Sequence, residues 1–182
     1  SYVSPLAYFK TNVEGTYNVL EAAKNLNVKN IIITSTSEVY GSAKYLPIDE
    51  EHPLNAQSPY AASKVAADQL SLSYYRSFKL PIKIIRPFNT FGPRQSNRAV
   101  IPRIIIQCLN KKNTRLNLGN LKPTRDFNYV EDTCEAYFQV LNSKKIIGEI
   151  INVGSNTNIS IENIAKKIMV MTNRKLKFLC EK

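Results

Sequence analysis

The sequence predicts an α/β fold, a parallel sheet with helices on both faces, followed by a smaller mixed α/β unit. Three observations carry this expectation. Ile31-Ile32-Ile33 is an unbroken β-branched run, which suits a parallel strand buried on both faces, because a strand with one wet face would alternate. Ile82-Lys83-Ile84-Ile85-Arg86 is a second candidate of this kind, stopped by Pro87. Before and between the two runs lie stretches of helical spacing, as such a sheet requires.

The first helix is expected over residues 5–26. Ser4-Pro5 marks its start, and Phe9, Val13, Tyr17 and Leu20 recur every three or four residues, giving it a core face. Asn27 to Asn30 then connects to the Ile31 strand, and residues 42–58 form a polar loop. Ser58 as cap and Pro59 at the first helical position start a helix over 59–78, with Val65, Leu72 and Tyr75 packing. Gly92-Pro93 breaks the chain, and a helix follows from Ala99 to Leu109 with Ile101, Ile104, Ile105 and Leu109 apolar. Another helix runs to about Asn142 with Asp132 as its cap, Ile150 to Gly154 forms a short strand and turn, and Ser160 starts a last amphipathic helix. The expected division is a first domain over 1–90 and a second region over 91–182, with the strand near 150–154 able to return to the main sheet.

Composition excludes several classes. At 182 residues, 43% hydrophobic and 21% charged, the chain suits one good core, or one domain plus part of another. No apolar run approaches the roughly 20 residues that cross a bilayer, and no leader opens the chain, so a cytoplasmic location without membrane association is expected. The formal charge of +11 raises nucleic acid as a partner. The lysines occur as dispersed pairs (Lys111-Lys112, Lys144-Lys145, Lys166-Lys167) rather than a basic run, which argues against it. Cys108, Cys134 and Cys180 are scattered and lack metal-ligand spacing, so neither a metal site nor disulfides are expected. His52, before Pro53 in the polar loop, is expected to be solvated.

The chemistry gathers between Ile31 and Lys64. Parallel sheets bind ligands outside their carboxyl ends, where Thr36, Ser37 and Glu38 emerge. Tyr60 and Lys64 are four residues apart on one helix and share a face. A phenol with a pKa of roughly 10 is a poor base near neutrality, but a nearby ammonium favours the phenolate. Thr36 can hold a substrate oxygen against that phenol. Asn89 follows the second strand, Arg103 lies on the Ala99 helix and Arg125 follows Leu116-Asn117-Leu118-Gly119-Asn120. Guanidinium forks suit a diphosphate.

Thr-Ser-Glu-Val-Tyr-Gly at 36–41 followed by Tyr60-x-x-x-Lys64 resembles the extended short-chain dehydrogenase/reductases, the NAD-dependent sugar-nucleotide epimerases and dehydratases. Arg86-Pro87-Phe88-Asn89, Phe91-Gly92-Pro93-Arg94 and Thr124-Arg125-Asp126-Phe127 extend the likeness along nearly the whole chain. Phe88 to Ser96 and Arg98 to Pro102 are similar to the nucleotide-sugar 4,6-dehydratases of the legionaminic-acid-pathway type.

The resemblance implies a Rossmann-like fold whose glycine-rich strand–turn–helix, the usual pyrophosphate cradle, lies outside these residues, so that the chain is a fragment. It implies NAD held by Asn12, Thr34, Ser35, Tyr60, Lys64 and Pro87. It also implies a nucleotide-diphosphate sugar, UDP- or GDP-linked, held by Asn89, Arg103, Asn117 and Arg125, and a homodimer through helices 5–26 and 59–78. The implied reaction is 4,6-dehydration, with Glu38 as the base that removes the C5 proton. Ser37 stands where many of these dehydratases have an aspartate that helps hydroxide leave. A 4-epimerase or decarboxylase of the same family, or a non-catalytic remnant that binds sugar nucleotides or dimerises, are the alternatives.

Overall fold

The computed structural model describes residues 2–180. They form two compact units, residues 2–88 with 132–153 and residues 89–131 with 154–180.

The first unit is built on β1 (Ile31–Thr34), β2 (Ile82–Pro87) and β7 (Ile150–Val153), parallel and in the order β1-β2-β7. Ile31 pairs with Ile82 and Ile84 with Ile150. Alternation along β2 shows why helices cover both faces. Ile82 and Ile84 pack with Leu20, Ala23 and Leu72 of α2 (Gly15–Asn25) and α3 (Pro59–Phe78). Lys83, between them, reaches the end of α5 (Val130–Asn142) and donates to the carbonyls of Val140 at 2.9 Å and Leu141 at 2.8 Å. Four-residue α-helical bonding leaves those terminal carbonyls unpaired, so a buried lysine serves them as a cap. Burial pushes the Lys83 ammonium below its ordinary value.

The expected helix over 5–26 is three pieces. Between α1 (Pro5–Phe9) and α2 the backbone takes a π-helical turn over Lys10–Glu14. The extra residue in that turn rotates the face of everything before it. The expected core stripe is broken there: Leu20 is buried, but Phe9, before the turn, is 48% exposed; Tyr17, after the turn and on the same helix as Leu20, is 48% exposed as well. Asp132, expected to cap α5, lies instead within its first turn, because the helix already begins at Val130.

α3 starts as expected. The Ser58 hydroxyl accepts from the Ala61 amide at 3.1 Å, with Pro59 in the first turn, and left-handed Lys79 ends the helix. Glycine is required where the loop before β7 meets this helix. Gly148 has φ +88°, and a Cβ there would lie 2.1 Å from Cε1 of Tyr75. Gly148→Ala should therefore destabilise the fold by about 2 kcal/mol or more, measured by denaturant unfolding. A change within about 0.5 kcal/mol would contradict this packing.

The polar loop is tied down rather than loose. His52 is 2% exposed, contrary to the solvated side chain expected from its polar neighbours. It packs between Tyr40 and Tyr45, and its Nε2 accepts from the Lys44 amide at 3.0 Å. With Nε2 as acceptor, Nδ1 carries the hydrogen and donates to the Pro53 carbonyl at 3.0 Å. Glu50 accepts from the Asn152 amide at 2.7 Å, so the loop closes against β7.

The second unit has short strand pairs around two helices. β3 (Asn89–Phe91) pairs in parallel with β6 (Phe127–Tyr129), and β4 (Arg115–Leu118) with β9 (Lys177–Cys180). β5 (Thr124–Arg125) runs antiparallel to β8 (Ile159–Ser160). Its core joins Ile104 and Cys108 of α4 (Val100–Leu109) to Leu116 and Leu118, and to Ile161, Ala165 and Met169 of α6 (Ile161–Met171). Ile105 and Leu109, expected on the apolar face of α4, are exposed.

Candidate active site

At the carboxyl end of β1 the chain leaves the sheet and turns sharply. The Thr36 hydroxyl caps a 3-10 turn over Ser37–Tyr40, accepting from the Glu38 amide at 3.3 Å. Gly41 ends the turn at φ +65°, with the space for a Cβ filled by the Asn55 carbonyl 2.1 Å away. This turn presents Glu38 to solvent and leaves Ser37 half-buried at its first position.

Tyr60, in the first turn of α3, meets that segment. Its phenol hydrogen-bonds the Thr36 hydroxyl, and the Glu38 carboxylate acts on it through space. A phenol, a hydroxyl and a carboxylate thus share one strand end, which is the arrangement needed to move two different protons on one small molecule. Tyr8 of α1 packs edge-on against Tyr60, ring centroids 5.8 Å apart, and shields one side of it.

The electrostatics around Tyr60 differ from the simple pairing with Lys64. Lys64 was expected to hold Tyr60 as phenolate, but its ammonium donates to the Thr34 carbonyl, and the phenol is pushed above its ordinary value. Burial is the main cause, and the Glu38 charge adds to it, against the lowering effect of Thr36. Burial also lowers the Lys64 ammonium, opposed by Asp68. The ammonium one turn from Tyr60 is therefore spent on the strand end and not on the phenol.

The sign of this shift makes a pH prediction. An acid with a raised pKa keeps its proton to higher pH, so phenolate-dependent activity should climb on the alkaline side as Tyr60 ionises. Removing the carboxylate in Glu38→Gln takes away one raising charge. The phenolate absorbance of Tyr60 should then develop at lower pH, isolated as the difference from Tyr60→Phe. An unmoved or higher midpoint would contradict the through-space contact.

The other residues expected at the cofactor are placed as follows. Asn12 sits in the π-helical turn and donates to Ser63 Oγ at 2.9 Å, and Ser63 donates to the Tyr60 carbonyl at 2.7 Å. Thr34 ends β1, its carbonyl taken by Lys64 and its hydroxyl by Tyr137 of α5 at 3.0 Å. Ser35 is buried and donates to Asp68 at 2.8 Å. Pro87 ends β2, paired with Val153. Sequence reasoning missed Tyr137, Ser63 and Tyr8. Ser63 had a legible signal, its position one residue before Lys64; Tyr137 had none.

These residues fit the nicotinamide-ribose end of a dinucleotide. A half-buried ammonium and phenol lie on one helix face, at the carboxyl ends of parallel strands, which is where such folds take that ligand. The six glycines of the chain form no phosphate-cradling turn.

The second unit holds the expected phosphate ligands in two places. A cleft of about 330 Å³ is lined by Asn89, Arg98, Arg103 and Arg125, with Gly119 and Asn120. Three guanidinium groups around one cleft favour an anion with several oxygens. Arg98 was missed, lying in a turn-rich stretch without periodicity. Asn89 donates to the Asp126 carbonyl at 3.1 Å, and Arg125 to the Thr124 carbonyl at 2.8 Å. Asn117 is not in this cleft; it lines another of about 380 Å³ with Arg103, Gln107 and Asn113. The Gln107 amide brackets the Asn117 backbone, accepting from its N–H at 2.8 Å and donating to its carbonyl at 3.1 Å, as a neighbouring strand would.

Comparison with known proteins agrees with this architecture. The profile of the family described as GDP-mannose 4,6 dehydratase matches residues 1–179. The chain is 37% identical over 180 residues to the dTDP-D-glucose 4,6-dehydratase of Dictyostelium discoideum, an alignment covering 93% of this chain and 41% of that protein. Among solved structures it is similar to dTDP-glucose 4,6-dehydratase from Bacillus anthracis in complex with NAD, with TM-score 0.88 and 32% identity over 96% of this chain and 57% of that one. It is also similar to the UDP-N-acetylglucosamine 4-epimerase of Methanobrevibacter ruminantium in complex with UDP-N-acetylmuramic acid, with TM-score 0.90 and 30% identity over 99% and 59% of the two chains. The chain spans about half the length of the curated relatives it matches.

Proposed function

Because the chain belongs to the GDP-mannose 4,6 dehydratase family of extended short-chain dehydrogenase/reductases, we propose that it carries the catalytic residues of an NAD-dependent nucleotide-diphosphate-sugar 4,6-dehydratase. One observation supports this above the others: Glu38 stands beside the hydrogen-bonded Thr36–Tyr60 pair. Oxidation at C4 needs only the phenol and hydroxyl, whereas elimination across C5 and C6 needs a further base.

NAD, when bound, supplies an acceptor for the C4 hydride and the same hydride for return to C6. The chain's own groups manage the protons. Thr36 orients the sugar 4-hydroxyl and the Tyr60 oxygen takes its proton as C4 becomes a carbonyl. That carbonyl acidifies C5, and Glu38 removes the C5 proton as the C6 oxygen leaves as water with a proton from solvent. The Glu38 proton goes back to C5 when the hydride is returned to C6, and the 4-hydroxyl proton held by Tyr60 passes to solvent. Ser37, half-buried at the start of the turn, can donate only a hydrogen bond to the departing oxygen. The product is a 4-keto-6-deoxy sugar nucleotide. Asn12 and Ser63 hold the backbone of Tyr60, and Lys64 with Thr34 forms the surface offered to the nicotinamide ribose, while Ser35, buried and bonded to Asp68, supports that surface from behind.

The arginine cleft supports a diphosphate as the recognised group. Arg125→Ala should raise KM or Kd for the sugar nucleotide roughly 10- to 100-fold, the worth of a charge-assisted hydrogen bond. Calorimetric titration showing unchanged Kd would remove Arg125 from the site. A UDP- or GDP-linked hexose or hexosamine is our expected substrate. Incubating the protein, in its full natural length, with UDP-, GDP- and dTDP-linked sugars and NAD should give from one of them a keto product lighter by one water. An isomer of unchanged mass would support the 4-epimerase reading instead, which the likeness to the Methanobrevibacter enzyme favours.

The apolar residues left exposed on the helices beside the site support a homodimer through residues 5–26 and 59–78. Leu6, Phe9, Tyr17, Val19 and Phe78 are all exposed there, and exposed apolar residues gathered on neighbouring helices suit an interaction surface. Light scattering should return twice the chain mass, and Phe9→Glu with Val19→Glu should halve it. A wild-type monomer at micromolar concentration would refute this. Among the described residues no helix is long and apolar enough to cross a membrane. The three cysteines are free, which suits the reducing cytoplasm we propose.

A further inference from the structure

We propose that the buried Asp68–Arg86 pair is a positioning device that clamps the segment carrying Glu38 at both ends, so that elimination depends on the pair more than C4 oxidation does. This rests on the dehydratase reading above.

Asp68 follows Lys64 by one turn of α3 and Tyr60 by two, and it is fully buried. Its Oδ2 accepts from Ser35 Oγ at 2.8 Å and from Arg86 Nε and Nη2 at 3.1 and 3.0 Å. The remaining guanidinium nitrogen, Nη1, donates to the Tyr40 hydroxyl at 2.8 Å, and the guanidinium lies 4.9 Å from the centre of the Tyr40 ring. Tyr40 in turn donates to Asn152 Oδ1 at 2.8 Å. Ser35 precedes the catalytic turn and Tyr40 ends it. The two charged side chains therefore grip the six residues 35–40 before and after Glu38, and fix them to the helix of Tyr60 and Lys64.

Stability alone is a poor reason for such a pair. Burying two charges costs more than burying apolar groups of the same shape, and an apolar replacement is often neutral or better. Here the cost is raised further, because Asp68 Oδ1 is buried with no hydrogen-bond partner. A device whose benefit is geometry explains the arrangement: a misplacement of about 1 Å at a reacting group costs on the order of 100-fold in rate. Tyr60 and Thr36 remain joined by their own hydrogen bond, whereas Glu38 hangs from the turn alone and would drift first.

The test separates the two half-reactions. Tyr40→Phe removes only the hydroxyl through which Arg86 grips the turn. Asp68→Asn with Arg86→Met neutralises the pair together, so that no lone charge stays buried. Single-turnover NADH absorbance reads C4 oxidation, and mass spectrometry reads loss of water. Elimination should fall about 10-fold in Tyr40→Phe and about 100-fold in the double variant, with C4 oxidation and KM within about twofold of wild type. Both half-reactions falling in equal proportion, or neither falling, would overturn the proposal. If the double variant does not fold, Tyr40→Phe decides alone.

Hydrogen exchange keeps the proposal apart from the dehydratase reading, since it needs no substrate. The Val39 and Gly41 amides, bonded within the turn to Thr36 and Glu38 carbonyls, should exchange at least about 10-fold faster in the variants, while β1 and β2 amides are unchanged. Should wild type release no water from any sugar nucleotide, the dehydratase reading fails and exchange alone decides the clamp. Unchanged exchange at Val39 and Gly41 would then overturn it.

Discussion

Glu38→Gln should stop dehydration while leaving C4 oxidation visible. Glutamine keeps the shape and the place on the turn but cannot accept the C5 proton, so loss of water should fall by about 10²- to 10⁴-fold, the usual worth of a general base. The Thr36–Tyr60 pair is intact in the variant, and removal of the neighbouring charge makes its phenol easier to ionise. Reduced cofactor should accumulate to about one equivalent per site, read as NADH absorbance after mixing with substrate. Turnover at the wild-type rate would show that Glu38 is not the base and would shift the reading toward an epimerase.

Tyr60→Phe should remove both half-reactions. The ring and its edge-on packing against Tyr8 are kept, so the fold should survive. The phenol oxygen bonded to the Thr36 hydroxyl is lost. C4 oxidation should drop about 10³-fold or more, with no NADH in a single turnover and no product lacking water. Kd for the sugar nucleotide should change by less than about threefold, because the arginine cleft is untouched. The contrast between the two variants is diagnostic: loss of Glu38 divides the reaction, and loss of Tyr60 prevents it from starting. A Tyr60→Phe protein that still oxidised C4 at even a tenth of the wild-type rate would rule out the phenol as base.

Much of this was legible in the chain because its signals are local. Three isoleucines in a row suit apolar cover on both sides, and β1 follows from that; β2 was marked by its isoleucines and the Pro87 that stops it. Ser58 and Pro59 announce a helix start, which places Tyr60 and Lys64 one turn apart without any knowledge of the fold. The strands of the second unit were harder, since β3, β5, β6 and β8 are only two or three residues long. No periodicity can show in so few residues, and their partners are distant in sequence. The π-helical turn at Asn12 was hidden because the residues around it keep an ordinary helical composition, and its consequence, an outward-facing Phe9, contradicts the pattern read from them. Arg86 reads as the polar end of a buried strand, and nothing local in the sequence marks Asp68. Only their meeting in space shows that each satisfies the other. Helical spacing likewise puts Lys64 and Tyr60 on one face but does not say which acceptor the longer side chain chooses. In this structure the Thr34 carbonyl is that acceptor.

The central claim is that one site oxidises C4, eliminates across C5 and C6, and then returns the stored hydride to a different carbon. The most direct measurement starts from a nucleotide-diphosphate sugar carrying deuterium at C4 and locates the label in the product by NMR. Deuterium should appear at C6 of a 4-keto-6-deoxy sugar. Deuterium found back at C4 of an epimer would contradict it.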